Sequence, residues 1–264
     1  MNLKSKKVII TGASGGIGSA LARELIIAHG CRVLALSRNT EKLAELKNEL
    51  GDNFIYKSFD VTNDNDLLWL KNHVKSVDIL VNNAGILPQF KKTISYSTDQ
   101  IKQAFDVNFI AAAKMTSALL PLIKKSPNGA VINMSSADAF CPIVGTSVYS
   151  ATKAAIFAYT EVLADENPDI LVSTVFPGFC KTNLFSANSF GRQDDLVKYL
   201  AIKPQLLSQR IIKGIENEKR RIIIGADAYL MKYSYALFGS VATGLIRDIM
   251  KSAKIELFEN VFSL

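Results

Sequence analysis

The 264-residue sequence predicts a doubly wound α/β fold, a parallel sheet of about seven strands with helices on both faces. Three observations carry this. Short β-branched runs recur along the chain, at 7–11, 32–37, 54–60, 78–82, 130–134, 171–176 and 221–225. Amphipathic helical patterns separate them: Ile17, Leu21 and Leu25 share one face of a helix, and Leu43, Leu46 and Leu50 one face of the next. The first run also leads directly into a glycine-rich turn that opens a helix. Strands and helices in alternation favour a sheet buried on both faces, and right-handed crossovers wind it in both directions. With no linker, repeat or low-complexity stretch, residues 1–264 read as one domain. Segment 183–202 is the least regular, a loop or loose helices. Segment 227–251 reads as an apolar helix or helix pair broken at Gly239 or Gly244, with a helical tail continuing to 264.

Composition excludes several classes of function. Hydrophobic residues make up 48% and charged residues 21%, the balance of a soluble globular protein. Two histidines, His29 and His73, leave little for a histidine triad or a histidine-rich metal site, and no metal is expected. Cys31, Cys141 and Cys180 show neither pairing nor metal spacing, which fits a reducing cytoplasm. An apolar run begins almost at residue 7, so no signal peptide is expected. The longest uncharged apolar stretch, 233–246, falls short of the roughly 18 residues that a membrane span needs. The net charge of +7 is spread along the chain, as on a solvated lysine-rich surface, and nothing resembles a nucleic-acid arm.

The run Thr11-Gly12-Ala13-Ser14-Gly15-Gly16-Ile17-Gly18 joins the first strand to the first helix. Glycines there let backbone N–H groups approach a pyrophosphate at the positive end of the helix. No Walker lysine is present, so a dinucleotide is the expected ligand. The end of the second strand, about 20 residues on, selects between dinucleotides. An acid there would bind the ribose 2′-hydroxyl, but this chain has Ser37 and Arg38 with Lys42 behind. A guanidinium suits a 2′-phosphate, so NADP is expected over NAD.

Asp60 with Val61, and Asn82-Asn83-Ala84-Gly85, close the third and fourth strands, where ligands bind in such sheets. Asp60 suits either the adenine edge or a helix cap. Asn108 continues an apolar stripe of Ile101, Phe105, Ala112 and Met115, so it needs a buried partner or serves a water relay. Ser136 follows the fifth strand, and Pro177, Gly178 and Thr182 follow the sixth. Tyr149 and Lys153 lie four apart on one helical face. An unperturbed tyrosine has a pKa of about 10, and a fixed ammonium nearby is expected to lower it toward the working pH.

In order and spacing, TGASGGIG, NNAG, Asn108, Ser136, YSATK and PGFCKT resemble the single-domain branch of the short-chain dehydrogenase/reductase family, over roughly residues 7–185. The resemblance implies an enzyme that exchanges hydride between a nicotinamide and a carbonyl or alcohol substrate. It makes Tyr149 the proton donor and acceptor, and Lys153 its partner and a ligand of the nicotinamide ribose. Ser136 would orient the carbonyl, and Asn108 would sit at the helix position of a proton relay. A homodimer through the Tyr149 helix, or a homotetramer, is also implied.

The chain departs from the family at its end, where a long apolar tail replaces the usual Val-Asp-Gly-Gly ending. Tyr229, Tyr233, Tyr235, Phe238 and Leu245 in that tail suit either a greasy pocket or a membrane surface. The leading expectation is an NADP(H)-dependent ketone or aldehyde reductase for an apolar lipid, steroid or aromatic substrate. A 3-oxoacyl thioester reductase is the alternative. A non-catalytic NADP sensor is disfavoured because Tyr149, Lys153 and Ser136 are all retained, and a sugar-nucleotide epimerase because the chain is short for the extra domain.

Overall fold

The computed structural model describes residues 1–181, 201–252 and 259–262. Its seven strands are β1 (Lys7–Thr11), β2 (Arg32–Ser37), β3 (Phe54–Ser58), β4 (Ile79–Asn82), β5 (Ala130–Met134), β6 (Leu171–Pro177) and β7 (Arg221–Ile224). They form one sheet in the order β3-β2-β1-β4-β5-β6-β7, and every pairing is parallel. The doubly wound fold that the sequence predicts is therefore the fold observed. Strand order reverses between β1 and β4, and it is at such a switch point that the sheet opens a crevice for a ligand.

Alternation along each strand divides the core in two, because successive side chains point to opposite faces. Val8, Ile10, Val33, Ala35, Ile79 and Val81 pack on one face, against leucines of helices α1 (Gly16–His29) and α2 (Thr40–Leu50). Ile9, Leu36, Leu80 and Val131 pack on the other, with Leu70 of α3 (Asp64–His73). The predicted third strand is two residues too long. Phe59 still donates to Ser37 O at 3.1 Å, but the chain then turns at Asp60 into the cap of α3.

The helix that carries Asn108 is interrupted. Helix α4 (Thr98–Phe105) passes into a π turn, Asp106–Ile110, and then into α5 (Ala111–Ile123). The extra residue in the turn shifts the helical phase. Ala104, Asn108, Ala112 and Met115 are buried, while Ile101, expected on the stripe, is exposed. By length and composition alone the continuous run Thr98–Ile123 is apolar enough to cross a membrane. Here it packs on the sheet, with Met115, Leu119 and Ile123 in the core.

Helix α6 (Ser147–Glu166) carries Tyr149 and Lys153, and α7 (Pro204–Glu216) packs against α1. Beyond β7 the chain forms α8 (Ala226–Phe238) and α9 (Ser240–Ser252), with a short helical turn at Glu259–Phe262. The break falls at Gly239, whose φ of 55° favours glycine, while Gly244 continues α9.

Candidate active site

At the carboxyl end of the sheet the strands frame a cavity of about 640 Å³. At one end lies the turn after β1. Gly12 has φ +65, and a Cβ there would lie 2.9 Å from Ala84 Cα. A Cβ on Gly18 would lie 2.5 Å from Gly12 O and 2.8 Å from Asn83 Nδ2. The backbone is thus drawn into a cradle that only glycine permits at these two points. Asn83 secures it by donating from Nδ2 to Thr11 O at 2.9 Å and to Gly12 O at 3.2 Å.

Helix α1 begins in this cradle with no side-chain cap and no acid in its first turn. Its free N–H groups and positive dipole end suit a pyrophosphate. Gly12, Ser14, Gly16 and Ile17 border the cavity as expected, but Gly18 lies behind them. Its contribution is the close approach of α1 to the turn, since Gly12 O, Ala13 Cα and Asn83 Nδ2 lie directly against it.

Ser14 and Ser37 share a hydrogen bond of 2.6 Å, joining the glycine turn to the end of β2. Arg38 is largely exposed and lies 3.8 Å from Asp60 Oδ2. Asp60 Oδ1 accepts from the backbone N–H of Thr62 at 2.9 Å and from its hydroxyl at 2.7 Å. These bonds, with the more distant Arg38, hold its carboxyl below the ordinary value. The cap of α3 is Asn63 rather than Asp60. Val61, Ala84 and Gly85 also border the cavity. The Asn108 side chain does not, because Oδ1 accepts from Ile86 N at 2.7 Å while Nδ2 donates to Ile86 O at 2.9 Å and Thr152 Oγ1 at 3.0 Å. That side chain pins the π turn to the loop that follows β4.

The reactive groups meet at the other end. Ser136 caps the short turn Ala137–Ala139, and its Oγ accepts from the Asp138 N–H at 3.3 Å. A hydrogen bond links Ser136 to the Tyr149 phenol. Lys153 is buried and donates from Nζ to Met134 O at 2.9 Å, with Nζ 5.5 Å from the centre of the Tyr149 ring. Burial pushes Lys153 down to about 8, against the field of Asp138.

The expected lowering of the Tyr149 pKa is not what this arrangement produces. Burial first, and then the Asp138 carboxylate, push the phenol above its ordinary value, while the Ser136 hydrogen bond pulls it back. Lys153 is directed at a carbonyl rather than at the phenolic oxygen. The phenol therefore keeps its proton at neutral pH.

Pro177 and Gly178 lie at the end of β6 along the cavity wall. The Asp227 carboxylate accepts from Phe179 N at 2.6 Å, so α8 holds this turn in place. A side chain on Gly178 would collide with that carboxylate. Thr182 and most of segment 183–202 fall outside the described residues. Ile202, at the end of that segment, bridges to Cys180.

Leu87, Phe90, Ile143, Tyr149, Ala228 and Met231 form an apolar cluster on this side. From the tail, Asp227 and Met231 border the cavity, whereas Tyr229, Tyr233, Tyr235, Phe238 and Leu245 point to solvent. The sequence reading missed Asp138 and Asp227. A lone acid between alanines at 137–139 is the signal that marks the first. Among the described residues, no cluster of metal-ligating side chains is present.

A glycine cradle at a strand–helix turn, joined by one cavity to Ser136 and the buried Tyr149 and Lys153, defines a dinucleotide-dependent α/β oxidoreductase. Residues 6–192 match the family model for short chain dehydrogenases. A probable NADP-dependent dehydrogenase of Haemophilus influenzae is 32% identical over 199 residues, 73% of this chain and 79% of that protein. A ketoacyl reductase of a Nostoc species is 29% identical over 235 residues, 85% of this chain and 80% of that protein. The crystal structure of a short-chain dehydrogenase from Streptomyces avermitilis superposes with a TM-score of 0.79 at 28% identity, over 94% of this chain and 99% of that one. The chain belongs to the short-chain dehydrogenase/reductase family.

Proposed function

We propose that this protein is an NADP(H)-dependent reductase of ketones or aldehydes with an apolar body. The observation that carries the reading is that Ser136, Tyr149 and Lys153 line the same cavity as the glycine cradle. Bound NADPH would supply hydride to the carbonyl carbon. Ser136 Oγ would orient the carbonyl and stabilise the charge developing on its oxygen. Tyr149, protonated at neutral pH, would donate its proton to that oxygen, which suits reduction. Lys153 would hold the nicotinamide ribose, and the Asn108 π turn would support the route by which protons return.

The residues present fit this cofactor. The glycine backbone leaves room for a pyrophosphate, and Arg38 at the end of β2 suits a 2′-phosphate where an acid would repel it. NADP(H) is therefore proposed over NAD(H).

The substrate end is apolar, walled by Leu87, Phe90, Ile143 and Met231. A 3-oxoacyl thioester is the second reading, favoured by the likeness to the Nostoc ketoacyl reductase. The α8–α9 hairpin is proposed to rest on a lipid surface. Its tip carries Leu237 (75% exposed), Phe238 (62%) and Val241 (71%). Exposed Tyr229 and Tyr233 stack behind the tip with Lys232 over the Tyr233 ring, and α9 carries Arg247, paired with Asp248, and Lys251. An apolar tip with exposed aromatics and cations behind it suits a bilayer interface.

The test is oxidation of NADPH and, separately, NADH by the purified protein with steroid ketones, medium-chain and aromatic aldehydes, and an acetoacetyl thioester. Turnover is expected with NADPH on an apolar carbonyl. Tyr149→Phe is expected to lower it by roughly 10²–10⁴ while NADPH still binds. Unchanged turnover in that variant, or none across the panel despite tight NADPH binding, would refute the reading.

A further inference from the structure

We propose that Asp138 is a substrate-contacting residue, and that the cavity takes carbonyl compounds bearing a hydroxyl on the carbon next to the carbonyl, with the Asp138 carboxyl receiving that hydroxyl. This deepens the reading of the site as a carbonyl reductase and rests on it.

Asp138 is 8% exposed and borders the cavity. It sits in the turn that leaves β5, between Ala137 and Ala139, with Phe140 following. A buried acid among such neighbours is costly unless a donor meets it. Its own N–H is bonded to Ser136 Oγ at 3.3 Å, which ties the position of the acid to the serine that orients the carbonyl. Its carboxyl acts electrostatically on both the Tyr149 phenol and the Lys153 ammonium, and all three residues line the same cavity.

The carboxyl is not fully supplied with donors from within. Thr146 is its hydrogen-bond partner. That hydroxyl has one proton for three neighbours, since Ile143 O and Ser150 Oγ also each lie 2.8 Å from it. The Lys153 ammonium is aimed at Met134 O. A lone pair of Asp138 therefore remains for a group arriving through the cavity.

A carbonyl held by Ser136 and Tyr149 leaves its neighbouring carbon next to this acid. A hydroxyl suits the position in either charge state, since it donates to the carboxylate and accepts from the acid. That flexibility matters here, because burial pushes Asp138 up to about 7, against the Thr146 bond and the Lys153 charge. An ammonium on the same carbon would face Lys153. Titratable groups around the turn also include Tyr149, Cys141 and, on α8, Asp227, which is bonded to Phe179 N, and Lys232, whose Nζ lies 6.0 Å over the Phe140 ring.

The experiment compares matched ketones with NADPH: 2-hydroxyacetophenone against acetophenone, and 1-hydroxy-2-octanone against 2-octanone. The wild-type protein is expected to prefer the hydroxy ketone in kcat/KM. In Asp138→Asn and Asp138→Ala that preference is expected to fall about 10- to 100-fold, the range set by losing a hydrogen bond to a charged group. NADPH binding, followed by its fluorescence, shows that each variant is folded. The ratio within each pair cancels any general loss of rate. Ketone turnover without a hydroxyl preference, or a preference that survives both variants, would overturn the proposal for Asp138 and leave the reductase reading standing. No ketone turnover at all would remove both.

Discussion

The two ends of the cavity are built from different materials. At the nucleotide end the chain presents backbone: glycines with no room for a Cβ, an uncapped helix terminus, and Asn83 holding the turn by its carbonyls. At the substrate end it presents side chains, with Leu87, Phe90, Ile143 and Met231 around Ser136, Tyr149 and Asp138. Backbone amides recognise a phosphate whatever the side chains beside them, so the first end serves one ligand chemistry. Side chains can be exchanged without moving the sheet, so the second end is where specificity resides.

The largest effect on this contrast should come from Gly18→Ala. The added methyl would meet backbone at 2.5 Å, which cannot yield as a side chain would. NADPH affinity is expected to fall on the order of 100-fold, from the few kcal/mol that such overpacking costs. Fluorescence titration of NADPH measures it, and near-native affinity would mean that the cradle is more pliant than its geometry implies.

A smaller change, about tenfold, is expected when Arg38→Asp removes the exposed guanidinium at the end of β2. A net loss of about 1.4 kcal/mol in 2′-phosphate binding corresponds to that factor. The ratio of kcat/KM for NADPH over NADH reads it, and an unmoved ratio would make Arg38 a bystander.

The smallest catalytic effect, less than about twofold in buffer, is expected from replacing the hairpin-tip residues Leu237 and Val241 together by Glu. Both face solvent away from the cavity. The same variant should lose co-flotation with anionic lipid vesicles, because two carboxylates at the tip oppose insertion. Vesicle binding equal to that of the wild type would exclude the hairpin as the lipid contact.

Much of the nucleotide end was legible in the chain because its signals are local. A strand, a glycine turn and a helix lie within about 25 consecutive residues, and short β-branched runs alternating with helices predict a sheet covered on both faces. Arg38 and the absent acid follow at a known distance. The other end was legible only in Ser136, Tyr149 and Lys153. Ser136 and Tyr149 stand 13 residues apart, and the turn and helix that join them are short.

What escaped depends on contacts between distant segments. The π turn moved Ile101 to the surface by adding one residue to a helical period that continues on paper. Asp227, 48 residues beyond Phe179, holds the turn after β6. The tail tyrosines fit a pocket wall by composition, yet packing chose Met231 and Asp227 for the wall and left the rings outside.

The sequence by itself determined the sheet, its helices, the cradle and the grouping of Ser136, Tyr149 and Lys153, because each is marked by residues close together along the chain. Only the tertiary structure decided the protonation of the site. Whether Tyr149 is raised or lowered depends on how deeply it is buried and on which charge faces it. Those are the Asp138 carboxyl and a lysine turned toward Met134, and both directions are set by packing across β5 and α6 rather than by spacing along the chain.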